Sequence, residues 1–333
     1  MPDTEQQARP RPARCIKILC TLAVLAFAAT IGAGLIGSVS PALDLVSHFQ
    51  VHLFIGGLLL VALCLQLRAR RHALLALALC TVPVVRIAPY WIPGPSLAIP
   101  PDSQHLIVMT ANVRTQNEQH REFMDEVRRQ DPDVLAIIEV STRWENELAP
   151  LIAEYPYQHQ TRIPGDTRYG VMILSRLPLT PKPLPLAFRE SYFRCAAAEV
   201  HSDAGDILLL APHPMPPTGF GATRLRDLQL GLANEFARTH TTDHTIVMGD
   251  LNATPWSHGY RTMTEGTTLR NTRLGAGMRN SWPSFLPKFM QIPIDHILVS
   301  ENIDVRHTAV GADIGSDHLP VISSLIVRAP GEP

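Results

Sequence analysis

The hydrophobic pattern of the chain changes character near residue 92. Ahead of that point apolar residues run on without interruption. Ile16 to Val39 is almost wholly apolar, with Lys17 its lone charge, and matches the ~20 residues a helix needs to cross a bilayer. Val51 to Leu67 is a second such run, extendable to Phe49. Ala73 to Ile92 is a third, interrupted in its second half by Pro83, Arg86 and Pro89. Tyr90 and Trp91 stand where an interfacial aromatic belt would put them. Beyond residue 92 the runs shorten to strand length and alternate with polar or amphipathic segments. Strands are predicted at His105–Ala111, Val134–Val140, Tyr169–Ser175, Ile246–Met248, Ile294–Ser300 and Val321–Val327. Cys195–His201 and Asp206–Ala211 form a hairpin around Asp203-Ala-Gly. Helices are predicted over Glu118–Gln130, where Phe123 and Val127 share a face, and over Arg224–Arg238, as an exposed helix with one apolar face. Many strands with few long helices point to two packed sheets covered by helices, not a simple alternation of strand and helix.

This pattern divides the chain into a polar tail (1–15), a membrane region of about three helices (16–92), a proline-rich linker (93–103) and a soluble domain (104–328). The first apolar run is longer than the ~7–15 residues of a secretory signal, and two further runs follow it. Arg9, Arg11, Arg14 and Lys17 flank the first run, and Arg68, Arg70 and Arg71 join the second to the third. The Ser40–Gln50 connection has neither Lys nor Arg. By the positive-inside rule both basic segments are cytoplasmic, and three spans place the soluble domain outside; two spans would reverse it. The expected setting is a bacterial inner (plasma) membrane, multi-pass, with a periplasmic domain.

Charge and cysteine content refine the picture modestly. Of 29 basic and 30 acidic residues, eight and three precede residue 93, leaving 21 and 27 after it. That acidic remainder disfavours a sequence-blind nucleic-acid binder. Of five cysteines only Cys195 lies outside the apolar third, so the soluble domain has no internal disulfide and the compartment is left open. Few spans, and no polar intramembrane group beyond Arg86, argue against a transporter.

Candidate chemistry gathers at strand ends. Thr245–Trp256 (TIVMGDLNATPW) is a buried strand that turns after Gly249 to present Asp250, a hard anionic oxygen, and Asn252, an amide able to orient a phosphate oxygen or water. Such a turn is ordinary when alone; it gains weight because other strand ends repeat the theme. Glu139 is a carboxylate closing an otherwise apolar strand, costly to bury without a cation and a natural metal ligand, unless it faces solvent at an edge. Asn112 ends the first strand. His213 follows an apolar strand and precedes Pro214, Pro216 and Pro217, which stiffen its loop. Asp295 and His296 open one strand, and Ser316-Asp317-His318 lead into the last. Asp317 and His318 point to opposite sides if extended. Asp295, from another strand, could bond the His318 imidazole and fix its tautomer. Trp282–Met290 (WPSFLPKFM) reads either as an exposed apolar loop beside the site or, preferably, as a buried proline-bent connection.

Together Asn112, Glu139, His213, GDLN at 249–252, Asp295 and SDH at 316–318 resemble, in order and rough spacing, the endonuclease/exonuclease/phosphatase superfamily, over residues 104 to 328. The strand YGVMILSR at 169–176 fits as well. The resemblance implies a DNase I-like four-layer α/β sandwich, two mixed sheets flanked by helices, and Mg²⁺-dependent phosphate-ester hydrolysis, with Mn²⁺ as the alternative ion. Carried over, Glu139, Asn112 and Asp317 would hold metal. Asp250 and Asn252 would orient water and phosphate, Asp295 and His318 would activate water or stabilise the transition state, and His213 would contact phosphate. His213 stands where apurinic endonucleases carry Tyr, nearer the DNase and lipid-phosphodiesterase branches. The apolar third resembles membrane-anchored bacterial members. The implied partners are a phosphate ester (nucleic acid, lipid headgroup or small molecule) and a bilayer; no protein partner is inferred. A non-catalytic binding module on this fold is the rival reading, disfavoured because Glu139, Asp250, Asp295 and His318 are all present.

Overall fold

The computed structural model describes residues 12–94, 102–240 and 242–329, so the polar tail up to residue 11 and most of the proline-rich linker lie outside the described residues. The chain forms two units, Met1–Ile87 and Ala88–Pro333.

In the first unit the apolar runs become helices: α1 (Pro12–Leu35), α2 (Pro41–Ser47), α3 (Gln50–Gln66), α4 (Arg70–Leu79) and α5 (Thr81–Ile87). Two helical stretches, Arg14–Leu35 and Arg70–Tyr90, are long and apolar enough to cross a membrane. The second run differs from expectation. α3 alone is short, and joins α2 at a 70° bend, so the pair makes a third span only if counted together. Pro83 and Pro89 do not end the third run. Leu19, Leu22, Leu59 and Leu74 are all exposed, an apolar exterior suited to lipid.

The second unit is built from β1 (Gln104–Asn112), α6 (His120–Gln130), β2 (Val134–Val140), α7 (Thr142–Glu147), α8 (Ala149–Ile152), β3 (Tyr157–Thr161), β4 (Gly170–Ser175), β5 (Leu179–Pro181), α9 (Leu186–Glu190), β6 (Arg194–Ser202), β7 (Gly205–His213), α10 (Phe220–Thr239), β8 (His244–Asp250), α11 (His258–Thr264), β9 (Arg270–Asn271), β10 (Asp295–Val299), β11 (Ile303–Val310) and β12 (Val321–Val327). Two six-stranded mixed sheets form, ordered β11-β12-β1-β2-β4-β3 and β5-β6-β7-β8-β10-β9. Each holds one parallel pair, β1/β2 and β7/β8, with antiparallel neighbours on both sides. The crossover helices are α6 and α10. The halves therefore repeat in topology although the sequence shows no repeat.

The continuous apolar runs are explained by burial on both strand faces. Ile246 and Met248 of β8, like Ala136 and Ile138 of β2, point into the core between the sheets. Val247 meets Leu230, Ala233 and Phe236 of α10 on one outer layer. Leu135 and Ile137 meet Phe123, Val127 and Trp144 on the other. The order helix, sheet, sheet, helix is the four-layer sandwich expected from the sequence. All eight inner strands had a sequence signal; β3, β5, β9 and β11, the four sheet edges, had none. The α10 helix also differs from its reading as an exposed helix, since Thr223, Arg226, Gln229 and Asn234 are buried on it.

Candidate active site

The topology brings six of the predicted side chains to one end of the sandwich. In a parallel pair both C-terminal ends lie together, so β1 and β2 deliver Asn112 and Glu139 while β7 and β8 deliver His213 and Asp250. The antiparallel neighbours begin where these end: β10 starts with Asp295, paired in register with Asp250, and the turn into β12 carries His318.

Glu139 needs a local device to reach this end. It sits in a bulge of β2 between Ile138 and Val140, with φ of 65°, a left-handed conformation costly for a residue with a Cβ. The bulge re-aims the carboxylate, whose Oε2 accepts the Thr115 backbone N–H at 3.1 Å. Asn112 ties the sheets together: its Nδ2 donates to Glu139 Oε1 at 3.2 Å and to Asp250 Oδ2 at 3.1 Å. Asp250 Oδ1 accepts the Asn252 N–H at 2.9 Å, closing an Asx turn. Asn252, at φ of 49°, donates its amide to the Pro214 carbonyl at 3.1 Å. The wholly buried Arg226 holds the Asn252 carbonyl from α10 at 3.1 Å.

Gly249 is set by close approach, because a Cβ there would stand 2.3 Å from the Pro212 carbonyl oxygen of β7. Gly249→Ala must push two paired strands apart, and we expect a stability loss of about 1–3 kcal/mol together with a displaced Asp250. Denaturant midpoints check this; a change below about 0.5 kcal/mol would rule out the tight β7–β8 approach.

The two histidines have opposite electrostatics. His318 Nδ1 lies 3.0 and 3.1 Å from the two Asp295 oxygens, while its Nε2 faces Asp250 at 3.8 Å. Burial alone would depress this imidazole, but Asp295 and Asp250 outweigh it and push it up to about 10. Burial likewise tends to raise Asp295, yet the His318 charge, bonds from His318 and Ser281, and the Arg273 guanidinium hold it below the usual carboxylate range. Asp250 has no such surplus of partners, and burial pushes it up to about 7. His213 Nε2 faces Glu139 at 3.7 Å and Asp250 at 3.9 Å, and burial pulls it down to about 4. Its buried Nδ1 has no hydrogen-bond partner among the described residues.

Ligand atoms of Asp250, Asp295 and His318 lie within 4.8 Å of one another. Asp317 is outside that group; its half-buried carboxylate pairs with Arg114 at 3.7 Å. His296 points the other way, bonded to the Ala253 carbonyl at 2.8 Å and to Asn271 at 2.9 Å. Two supports were given no role in the sequence reading. Ser316 Oγ donates to the Asn112 carbonyl at 2.7 Å and accepts from the His318 N–H at 3.1 Å. Arg194 stands opposite His213 in the β6–β7 register. Arg194 has no local signal, since an arginine near a turn is ordinary on the surface; Ser316 stood in the SDH motif, but with no role given to it. Trp282–Met290 is corrected from a buried connection: Pro283 and Gln291 anchor it, but Phe285, Phe289 and Met290 are exposed.

The donor set suits a hard divalent cation. The partly buried Glu139 and the buried Asp250 share one amide hydrogen-bond donor, and carboxylates that meet on one group favour added positive charge.

The model of the endonuclease/exonuclease/phosphatase family matches residues 109–318. No curated protein sequence matches the chain. Among solved structures, D. rerio TDP2 humanized by 14 mutations is 14% identical, with a TM-score of 0.55 over 66% of this chain and 98% of that one. An endonuclease/exonuclease/phosphatase from Beutenbergia cavernae is 19% identical, with a TM-score of 0.52 over 68% and 72%. A family protein from Bacteroides thetaiotaomicron is 15% identical, with a TM-score of 0.52 over 68% and 98%. At such identities these structures speak to the fold alone.

Proposed function

Because the chain belongs to the endonuclease/exonuclease/phosphatase family, we propose that it is a divalent-metal-dependent hydrolase of phosphodiester or phosphomonoester bonds, held at a membrane by its N-terminal helices. The observation that carries this is the convergence of Asn112, Glu139, His213, Asp250, Asp295 and His318 from both sheets on one buried cluster. Glu139 and Asp250, with Asn112 between them, would hold Mg²⁺ or Mn²⁺; Asp317, paired with Arg114, would serve at the rim. The bound ion supplies charge neutralisation at phosphoryl oxygens and lowers the pKa of water.

The chain's own groups divide the remaining work. Asp295 fixes the His318 tautomer with a proton at Nδ1, leaving Nε2 toward the reacting centre. With its pKa pushed up, His318 is an imidazolium at neutral pH in the metal-free protein and suits stabilising negative charge on the phosphoryl group. It turns into a base for water once added positive charge lowers that pKa. His213, kept neutral by burial, can donate one N–H to a phosphate oxygen, and Asn252 orients water or phosphate from the Asp250 turn. With the bent α2–α3 pair counted as the third span, the apolar helices and the positive-inside pattern support a multi-pass inner-membrane protein with an extracytoplasmic catalytic domain.

The test uses the full chain in lipid nanodiscs, assayed on bis-p-nitrophenyl phosphate, supercoiled plasmid and sphingomyelin with Mg²⁺, Mn²⁺ or EDTA. EDTA-sensitive turnover is expected, and the preferred substrate separates nuclease from lipid hydrolase. A folded chain that binds metal and turns over none of these favours the binding-module reading. Metal affinity should also depend on pH with a defined sign. Asp250, pushed up to about 7, takes a proton as pH falls through that value, and a neutral carboxyl is a poor ligand. Mn²⁺ affinity is therefore expected to fall about tenfold per unit below pH 7, the slope for one displaced proton. Asp250→Asn should flatten that slope. Calorimetry from pH 8 to pH 5 measures it, and a flat wild-type profile would overturn the raised Asp250 pKa as the source of the slope.

A further inference from the structure

A cleft of about 480 Å³ opens between the β3–β4 connection and the segment from Leu184 to Cys195. It adjoins the cluster described above through two of its lining residues. Arg194 stands opposite His213 in the β6–β7 register, and Tyr169 precedes Gly170, which pairs with Val140 beside Glu139. A group bonded to a phosphate at the cluster would have this cleft as its neighbour.

The lining combines two chemistries. Arg162, Arg189 and Arg194 bring three guanidinium groups into a domain that is otherwise mildly acidic. Arg162 is braced by Glu145 at 3.1 Å and Arg194 by Asp166 at 3.3 Å, so both are held in position, while Arg189 stands exposed in the last turn of α9. Between them lie the aliphatic side chains Ile163, Leu184 and Leu186, the last of them 65% exposed. Fixed guanidinium groups recognise an anion, and an open aliphatic wall gains free energy with each methylene it covers.

The aromatic residues of the cleft argue against a nucleobase as the occupant. Base binding needs an open ring face. The Tyr169 ring already carries the guanidinium groups of Arg194 at 4.6 Å and Arg168 at 5.2 Å. Phe188 and Phe193 stack on one another at 5.0 Å and are buried.

We propose that this cleft binds the aliphatic body of an alkyl-chain phosphate ester whose phosphate reaches the cluster past Arg194, with Arg189 drawing in its negative charge and its chain lying along Ile163, Leu184 and Leu186. As a substrate subsite it rests on the phosphoesterase reading, but its occupancy is measurable without turnover. The experiment uses the full chain in phosphatidylcholine nanodiscs with EDTA, titrated calorimetrically with hexyl phosphate, inorganic phosphate and hexanol. Hexyl phosphate is expected to bind at least about tenfold more tightly than either fragment. Leu186→Asp and Arg189→Glu are each expected to weaken it by about tenfold or more, and both positions are exposed, so unchanged unfolding temperatures verify the fold. Wild-type affinity in both variants, or inorganic phosphate binding as tightly as hexyl phosphate, overturns the proposal. Adding phosphatidic acid to the nanodisc identifies the source of the ester: competition with hexyl phosphate indicates a bilayer lipid, and its absence a soluble ester. Binding without any metal-dependent turnover would sink the phosphoesterase reading and leave the cleft standing; turnover without binding would do the reverse.

Discussion

Replacing His318 by alanine is expected to lower metal-supported turnover of bis-p-nitrophenyl phosphate by about 10²–10⁴-fold, the range for a positioned proton-transfer group. The geometry gives the reason. One ring nitrogen is fixed by both oxygens of Asp295, and the other faces Asp250 at 3.8 Å, so the imidazole is aimed at the centre of the cluster. Removing the ring leaves Asp250 and Asp295 with less compensating charge, but leaves Glu139, Asn112 and the Asp250 turn in place. Metal affinity should therefore change less than kcat. Asp295→Asn is the informative companion, because its amide can turn the His318 tautomer around and should also cost orders of magnitude in kcat. Parallel measurement of kcat and Mn²⁺ affinity checks the pair. A His318→Ala enzyme within threefold of wild type would remove His318 from the reaction.

Trp144→Ala is expected to carry the largest stability loss, about 3–5 kcal/mol, the range for removing a buried aromatic side chain. Trp144 is wholly buried under the first sheet. Its ring meets His120 and Phe123 edge-on at 4.4 and 5.7 Å, and its Nε1 donates to the Arg114 carbonyl at 3.4 Å. Ser141 starts its helix by capping the Trp144 N–H at 3.2 Å. The side chain thus holds the turn whose next residue, Thr115, donates its N–H to Glu139. Of the four tryptophans Trp91 stands at the end of the apolar third, whereas Trp144, Trp256 and Trp282 lie within the soluble domain, so in Trp144→Ala the last two still report its unfolding. A fall in midpoint on the order of 10 °C is expected, with a smaller one for Trp144→Phe. A midpoint within 2 °C of wild type would show that the layer does not depend on this ring.

Which parts of the fold were legible in the sequence follows from burial. The inner strands are covered on both faces, so each had to be apolar almost without interruption, and each was visible as a short run. Edge strands lack that constraint. β3 (YQHQT) is half-exposed and polar, and β11 (IDVRHTAV) alternates poorly around its bulge between Val305 and His307. Both exist because a neighbouring strand offers its hydrogen bonds, which is a property of the assembled sheet. The burial of Arg226, within a helix read as exposed with one apolar face, has a related reason. On a helical pattern an arginine belongs outside, and it is the Asp227 carboxylate together with the Asn252 carbonyl that makes this one worth burying.

For the site, the residue types and their order were enough to select the family and to name Asn112, Glu139, His213, Asp250, Asn252, Asp295, Asp317 and His318. A charged or amide group at the end of an apolar strand is conspicuous in one dimension. Beyond the Asp295–His318 pair, what the sequence could not supply is which of these meet. That was decided by two parallel strand pairs and their antiparallel neighbours, which place six groups far apart in the chain at one end of the sandwich. It was decided also by the bulge at Glu139, and by Arg114, which takes the Asp317 carboxylate aside. The cleft of arginines beside aliphatic side chains left no trace in the linear order, because its walls come from different sheets. Local chemistry is written residue by residue; convergence depends on strand register and chain crossing, and those are fixed only when the two sheets close on their shared core.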